Sequence, residues 1–170
     1  MSDNSIYQFT VKRISGEEVS LSEFKGKVLL IVNTASGCGF TPQYRELEQL
    51  RKDFESEDFE ILAFPSNDFG DQEPLQGSAI MKFCKINFGI KFSVFDKIHV
   101  RGRHAHPLYK FLSDKTLNQH IRSKPKWNFH KYLVDRNGEV TDFFYPFTKP
   151  GSGRIRRRIT KLLHQSESVS

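Results

Sequence analysis

The stretch that most restricts the fold is "KVLLIVNTAS", residues 27–36, in which every position from Val28 to Val32 is apolar. A strand with one wet face alternates apolar and polar residues. A continuous apolar run instead predicts a central strand covered on both faces, as helices cover the sheet of an α/β protein. "FEILAFP", residues 59–65, is a second run of this kind, closed by Pro65. Between the two, Thr41-Pro42 predicts a helix start, with an N-cap hydroxyl followed by proline at the first helical position. Tyr44, Leu47, Leu50 and Phe54 give that helix one apolar face.

The flanking segments extend this strand-helix-strand unit. "YQFTV" alternates, and Ser15-Gly16 supplies a turn, so a hairpin is expected near the N-terminus. A polar, glycine-bearing loop, "SNDFGDQEPLQGS", follows the second strand, and then come helices around "AIMKFCKINF" and in "HPLYKFLSDK". "KYLVDRNGEVTDFFY" carries the Asn-Gly signal of a tight hairpin. No repeat, low-complexity tract or Pro/Gly-rich linker divides the chain, so residues 1–170 read as one domain. The expected class is α/β: a thioredoxin-like fold with an N-terminal β-hairpin and a helical insertion. A flavodoxin-like sheet would need more strand-helix alternation than the second half offers.

A formal net charge of +6 raises the question of a nucleic-acid partner. Much of the excess sits in "RIRRRITKLL". As a helix, this places Ile155, Ile159, Leu162 and Leu163 on one side and Arg154, Arg157, Arg158 and Lys161 on another. A terminal helix docked by its apolar stripe accounts for that pattern. No zinc-finger, helix-turn-helix or aromatic-basic signature accompanies it, so nucleic acid is not the expected partner. The apolar run is too short to cross a bilayer, and "MSDNSIYQF" lacks the features of a signal peptide. Two cysteines are too few for a secreted disulfide scaffold, so a reducing, cytoplasmic setting is expected.

One of those cysteines, Cys38, stands between two glycines in the loop after the first apolar strand. Reactive groups gather at the carboxyl ends of strands in open α/β sheets, and a nearby helix N-terminus favours a thiolate. A free cysteine is also commonly a small buried hydrophobe, and position alone leaves the two readings near balance.

The blocks "VNTASGCGFTPQY", "LAFPSNDFGDQEP" and "KWNFHKYLVDRNGEV" together resemble the glutathione peroxidase family in its cysteine-containing form. The likeness runs from "VSLSEFKGKVLLIVNTAS" through "PLYKFL" to "PFTKP". It implies a four-residue site formed by Cys38, Gln72, Trp127 and Asn128. The residue types suit the chemistry: a thiolate attacks a peroxide oxygen, and uncharged N–H donors stabilise both the sulfur and the departing oxygen. The product is a sulfenic acid on Cys38. Read singly, Gln72 is a solvated polar residue, Trp127 a packing residue and Asn128 a turn former.

Cys84 matches the resolving cysteine of the thioredoxin-dependent branch, which implies a Cys38–Cys84 disulfide reduced by a thioredoxin-type protein. It also lies with Ile80 and Phe83 on an apolar helical stripe, so a plain core thiol is the competing reading. Direct reduction by glutathione is a second route, and a redox relay that passes oxidation to a partner is a rival function. The short "VRGRHAHPLY" connection resembles the monomeric form of the family, with Arg101 and Arg103 read as solvated or as ligands for a charged group. Ser66, Asp68 and His130 depart from the commoner pattern beside the motifs. No cofactor is expected, and the cysteine and histidine spacing offers no compact metal site.

Overall fold

A computed structural model of the chain describes residues 4–165. Strands β1 (Thr10–Lys12) and β2 (Glu18–Ser20) form the expected antiparallel hairpin, with Gly16 at φ +92° in its turn. The central sheet contains β3 (Val28–Thr34), β4 (Phe59–Pro65), β5 (Ser93–Val94), β6 (Lys131–Val134) and β7 (Val140–Phe144), in the order β5-β4-β3-β6-β7. β3 pairs in parallel with β4 and antiparallel with β6, with Val32 opposite Ala63 on one side and Lys131 on the other. The two-residue β5 was not foreseen, because so short an edge strand leaves no periodic pattern to read.

β3 is buried at every position. Val28, Leu30 and Val32 enter one core with Ile61, Ala63 and Leu133, while Leu29 and Ile31 enter another with Leu62, Phe64, Tyr132 and Val134. This is the double coverage that the continuous run requires. The first core is closed by α1 (Gln43–Asp53), α2 (Ser78–Phe88) and α5 (Gly153–Leu163). The second is closed by the N-terminal hairpin and α3 (Pro107–Ser113), with α4 (Lys115–Asn118) beside it. These last two helices form the insertion between β5 and β6, and the whole is the thioredoxin-like arrangement.

Two local expectations need correction or completion. The Thr41 hydroxyl does not cap α1: the helix begins at Gln43, Pro42 precedes it, and no side-chain cap bond forms. Residues 40–45 instead tighten into a turn, with Gln43 N–H donating to the Phe40 carbonyl and Tyr44 N–H to that of Thr41. This frees the Thr41 hydroxyl for the preceding loop. The basic helix α5 is docked as expected, with Ile155, Ile159 and Leu162 buried. Each such side chain stabilises the fold by about 1.5–3 kcal/mol. Part of its charge is also paired, Arg156 with Asp53 at 2.6 Å and Arg158 with Asp142 at 2.8 Å.

Candidate active site

Three segments meet at one end of the sheet. The loop 35–42 leaves the carboxyl end of β3, and the loop 66–77 leaves that of β4. Trp127 and Asn128 enter β6, whose first residue lies opposite Val32. Antiparallel pairing therefore returns the third block of the sequence to the place where the first two end.

Cys38 is almost buried, at 7% exposure, and its loop is tied from within. Cys38 N–H donates to Thr41 Oγ1 (2.9 Å), which in turn donates to the Ala35 carbonyl (2.9 Å). Phe40 N–H donates to Cys38 Sγ at 3.3 Å, so a backbone dipole already addresses the sulfur. The flanking glycines differ in function. A Cβ on Gly37 would lie 2.9 Å from the Gln72 carbonyl oxygen, whereas one on Gly39 would meet nothing within 4 Å. Gly37 N–H donates to that same Gln72 carbonyl at 2.7 Å. The first glycine thus lets the cysteine loop and the glutamine loop touch.

Gln72 and Asn128 are joined side chain to side chain. Asn128 Nδ2 donates to Gln72 Oε1 at 2.9 Å and reaches the Phe69 carbonyl at 3.5 Å. With its oxygen engaged, Gln72 is left with its amide N–H₂ to offer elsewhere. Trp127 packs against Phe69 with ring centroids 5.4 Å apart, and its six-membered ring lies over Gly70, where a Cβ would sit 3.1 Å away. The same imaginary Cβ would lie 3.5 Å from Gln72 Cγ, which places the indole and the glutamine around one glycine. Cys38 belongs to the apolar cluster against which Trp127 packs.

The tryptophan loop is held by residues that the sequence alone did not single out. Asn33, buried in β3, donates from Nδ2 to the Trp127 carbonyl (3.1 Å) and accepts Phe129 N–H on its own carbonyl (2.6 Å). Phe129 has φ +69°, a left-handed conformation that costs a bulky residue on the order of 1–3 kcal/mol. The fully buried Lys131 braces it, donating from Nζ to the Phe129 carbonyl (2.7 Å) and the Pro146 carbonyl (3.2 Å). Gln43 Nε2 donates to the same Pro146 carbonyl at 2.7 Å, linking α1 to this brace. Burial pushes the Lys131 ammonium down to about 7. The signal for both residues was a polar side chain at a strand position surrounded by apolar ones.

The departures noted beside the motifs also acquire places. Asp68 accepts from His99 Nδ1 (2.7 Å) and from the Val100 and Arg101 amides, and these contacts outweigh burial and hold its carboxyl low. Arg101 donates to the Asp68 carbonyl and lies 4.4 Å above the Phe69 ring, so it braces the glutamine loop. His130 is buried, bonded to Ser123, and pushed down to about 4 by burial and by neighbouring Lys131 and Lys126, so it stays neutral. Ser66 is buried, with its N–H on the Thr34 carbonyl.

Cys84 lies on α2, fully buried, in the same core as Cys38. Both are free thiols. Burial pushes the Cys84 thiol up to about 11, with a further contribution from nearby Glu73.

The sequence profile described as Glutathione peroxidase matches residues 6–113. The chain belongs to that family. It is 44% identical over 159 residues to the "Glutathione peroxidase" of Lactococcus lactis subsp. cremoris, covering 94% of this chain and 99% of that one. It is 45% identical over 166 residues to the "Hydroperoxy fatty acid reductase gpx1" of Synechocystis, covering 95% and 97%. Among solved structures, that of "Trgpx in apo form" superposes with a TM-score of 0.76 at 38% identity, covering 95% and 96%. The chain is accordingly a thiol peroxidase that reduces hydroperoxides. Among the described residues, no helix is long and apolar enough to cross a membrane, and no cluster of three or more His, Cys, Asp or Glu side chains could hold a metal ion.

Proposed function

We propose that Cys38 is the peroxidatic residue, acting with Gln72, Trp127 and Asn128, and that Cys84 resolves its oxidised form. The Cys38 thiolate attacks the nearer peroxide oxygen, the O–O bond breaks, and the departing alkoxide takes a proton to leave as an alcohol or water. Cys38 is then a sulfenic acid. The Cys84 sulfur displaces its hydroxyl as water, and a thioredoxin-type dithiol reduces the resulting disulfide. The observation that carries this reading is the Asn128–Gln72 amide pair, which fixes one uncharged amide beside the loop that holds Cys38. Such donors stabilise negative charge without competing as acids.

Resolution requires α2 to open, because a disulfide needs Cα atoms within about 7 Å and Cys84 is buried in the helix. The helix ends favour this. Its N-cap is Gly77, at φ +54° with no side-chain cap bond, and it stops at Gly89 in the left-handed region. A glycine cap forgoes only about a few tenths of a kcal/mol relative to a polar one. On this reading the protein works as a monomer in a reducing, cytoplasmic setting. Hydrogen peroxide and lipid hydroperoxides are its substrates, the latter in keeping with the name of the Synechocystis relative.

Replacing Cys84 with serine tests the resolving role. Turnover with thioredoxin should collapse while a single stoichiometric oxidation of Cys38 survives. Unchanged multiple turnover would assign the reduction of Cys38 to glutathione or a partner thiol instead.

A further inference from the structure

Asp68 stands shortly before Gln72 in the same loop, and its carboxylate is engaged by the segment that follows β5. That segment is fastened to the sheet: Phe95 N–H donates to the Ala63 carbonyl (2.9 Å) and Ile98 N–H to the Pro65 carbonyl (3.0 Å). Asp68 Oδ2 accepts from the Val100 amide (2.7 Å) and the Arg101 amide (3.3 Å), and Oδ1 from His99 Nδ1 (2.7 Å). Arg101 returns the contact. Its Nη2 donates to the Asp68 carbonyl at 2.6 Å, and its guanidinium lies 4.4 Å from the centre of the Phe69 ring. Phe69, itself buried, then meets the site in two ways. Its ring packs on Trp127 with centroids 5.4 Å apart, and Asn128 Nδ2 reaches its carbonyl at 3.5 Å. Gly70 and Asp71 follow at φ +67° and +51°, both left-handed, so the direction in which Gln72 leaves this turn depends on where Phe69 enters it.

Resting on the reading of Cys38, Gln72, Trp127 and Asn128 as the peroxidatic site, we propose that Asp68 and Arg101 are positioning residues for the oxidation of Cys38. They act through Phe69, which holds the Trp127 indole and the Asn128–Gln72 amide pair in place. The bonds of the two side chains run to one another's backbone and to residues 99–100, and the guanidinium covers Phe69. They therefore work at one remove from the sulfur and give no proton and no bond to the reaction.

This clasp differs from an ordinary surface ion pair, which water screens and which contributes little. The Asp68 side chain is only 12% exposed, and the pairing is not charge to charge. The carboxylate takes backbone amides, and the guanidinium takes a backbone carbonyl and an aromatic ring. Each group thus fixes main chain, which is what placing a loop requires. Against burial, which raises its carboxyl, the His99 ring and the Val100 and Arg101 amides hold Asp68 low, so the acceptor is ionised at neutral pH. The limb after Gln72 has ties of its own: Glu73 N–H donates to Asn67 Oδ1 (2.9 Å), and Lys97 Nζ donates to the Glu73 and Leu75 carbonyls. Asp68 and Arg101 hold the limb before it. Donors aimed at a developing charge tolerate little displacement, and about 1 Å can cost on the order of 10²-fold in rate.

Trp127 is the single tryptophan of the chain, so the intrinsic fluorescence of the full-length protein reports the place of the indole. The test measures Trp127 emission and its quenching by acrylamide in the reduced protein, the second-order rate of Cys38 oxidation by hydrogen peroxide, and the urea midpoint. Arg101 is exposed, and Arg101→Ala should slow oxidation by about tenfold or more while emission moves to longer wavelength and quenching strengthens. Asp68→Ala should do the same. Asp68→Asn keeps an oxygen for the two backbone amides, and it should recover to within about threefold of the wild-type rate with native emission. Rates within about twofold of wild type in Arg101→Ala and Asp68→Ala overturn the proposal, and a lowered urea midpoint alongside them marks a role in stability alone. Slower oxidation with unshifted emission also overturns it, because the route through Phe69 to Trp127 is then absent. So does an Asp68→Asn as slow as Asp68→Ala. Should Asp68→Ala fail to fold, Arg101→Ala decides alone. A wild type in which peroxide leaves Cys38 a thiol removes the reading of the site itself, a result distinct from a normal wild type with unaffected variants.

Discussion

Asn128 Nδ2 donates to Gln72 Oε1 across 2.9 Å, joining residues 56 positions apart in the chain at the end of one sheet. The bond uses the acceptor of Gln72, so the two amides act as a unit. Gln72→Ala should lower the second-order rate of Cys38 oxidation by roughly 10²–10³-fold, the usual loss for one charge-stabilising donor. Asn128→Ala should cost a comparable factor by releasing Gln72, and the double variant should fall well short of the product of the two. Stopped-flow oxidation with hydrogen peroxide measures all three, and strictly multiplicative losses would separate the residues.

The two glycines beside Cys38 give a sharper contrast. Gly37→Ala places a methyl group 2.9 Å from the Gln72 carbonyl oxygen, so one loop must shift. A displacement of about 1 Å at a reacting centre can cost on the order of 10²-fold in rate, and the overpacking itself about 1–3 kcal/mol. Gly39→Ala points into open space and should change stability by no more than about 0.5 kcal/mol. Peroxidase rates and urea midpoints of the two variants provide the comparison.

Lys131 sets a pH dependence of stability. Its ammonium falls from 10.5 to about 7 on folding, chiefly through burial. Between those values the unfolded chain holds the extra proton, so this residue makes stability rise with pH, with the full penalty present below pH 7. The upper bound over three pH units is on the order of 4 kcal/mol. The neutral amine keeps two N–H donors for the Phe129 and Pro146 carbonyls. Lys131→Met should therefore lose stability relative to wild type as pH climbs from 7 to 10. Urea midpoints of the two proteins at each pH remove the contributions of the tyrosines and Cys84 by difference.

The Thr41 hydroxyl bridges Cys38 N–H and the Ala35 carbonyl. Thr41→Val leaves both backbone groups unpaired inside a nearly buried loop, at about 1–3 kcal/mol each. Thermal unfolding should show the loss, and Cys38 oxidation should slow. Thr41→Ser, which keeps the hydroxyl, should recover most of both.

These contacts show which parts of the molecule were legible in the sequence. The continuous run Val28–Val32 predicted a strand covered on two faces because burial acts on each residue in turn, and β3 is buried throughout. The same local logic found α2, α5 and the hairpin of β6 and β7. Thr41-Pro42 misled because the capping preference assumes that the hydroxyl has no better partner. Here the loop of Cys38 claims it, and α1 starts one residue later than expected, at Gln43. The edge strand β5 exists only by pairing with β4, a contact that no local pattern encodes. Asn33, Glu73 and Lys131 are polar residues in buried places, and each has at least one partner well separated from it in the chain. The sequence displayed the anomaly of each without naming what satisfied it.

The central claim is that Cys38 is the atom-transfer centre and Cys84 its internal reductant. The most direct measurement is a mass spectrum of the full-length protein after one equivalent of hydrogen peroxide, mapped to peptides without reductant. The account predicts a Cys38–Cys84 linkage in the wild type and a sulfenic acid on Cys38 in Cys84→Ser. A Cys38 thiol that survives the oxidant unchanged would contradict it.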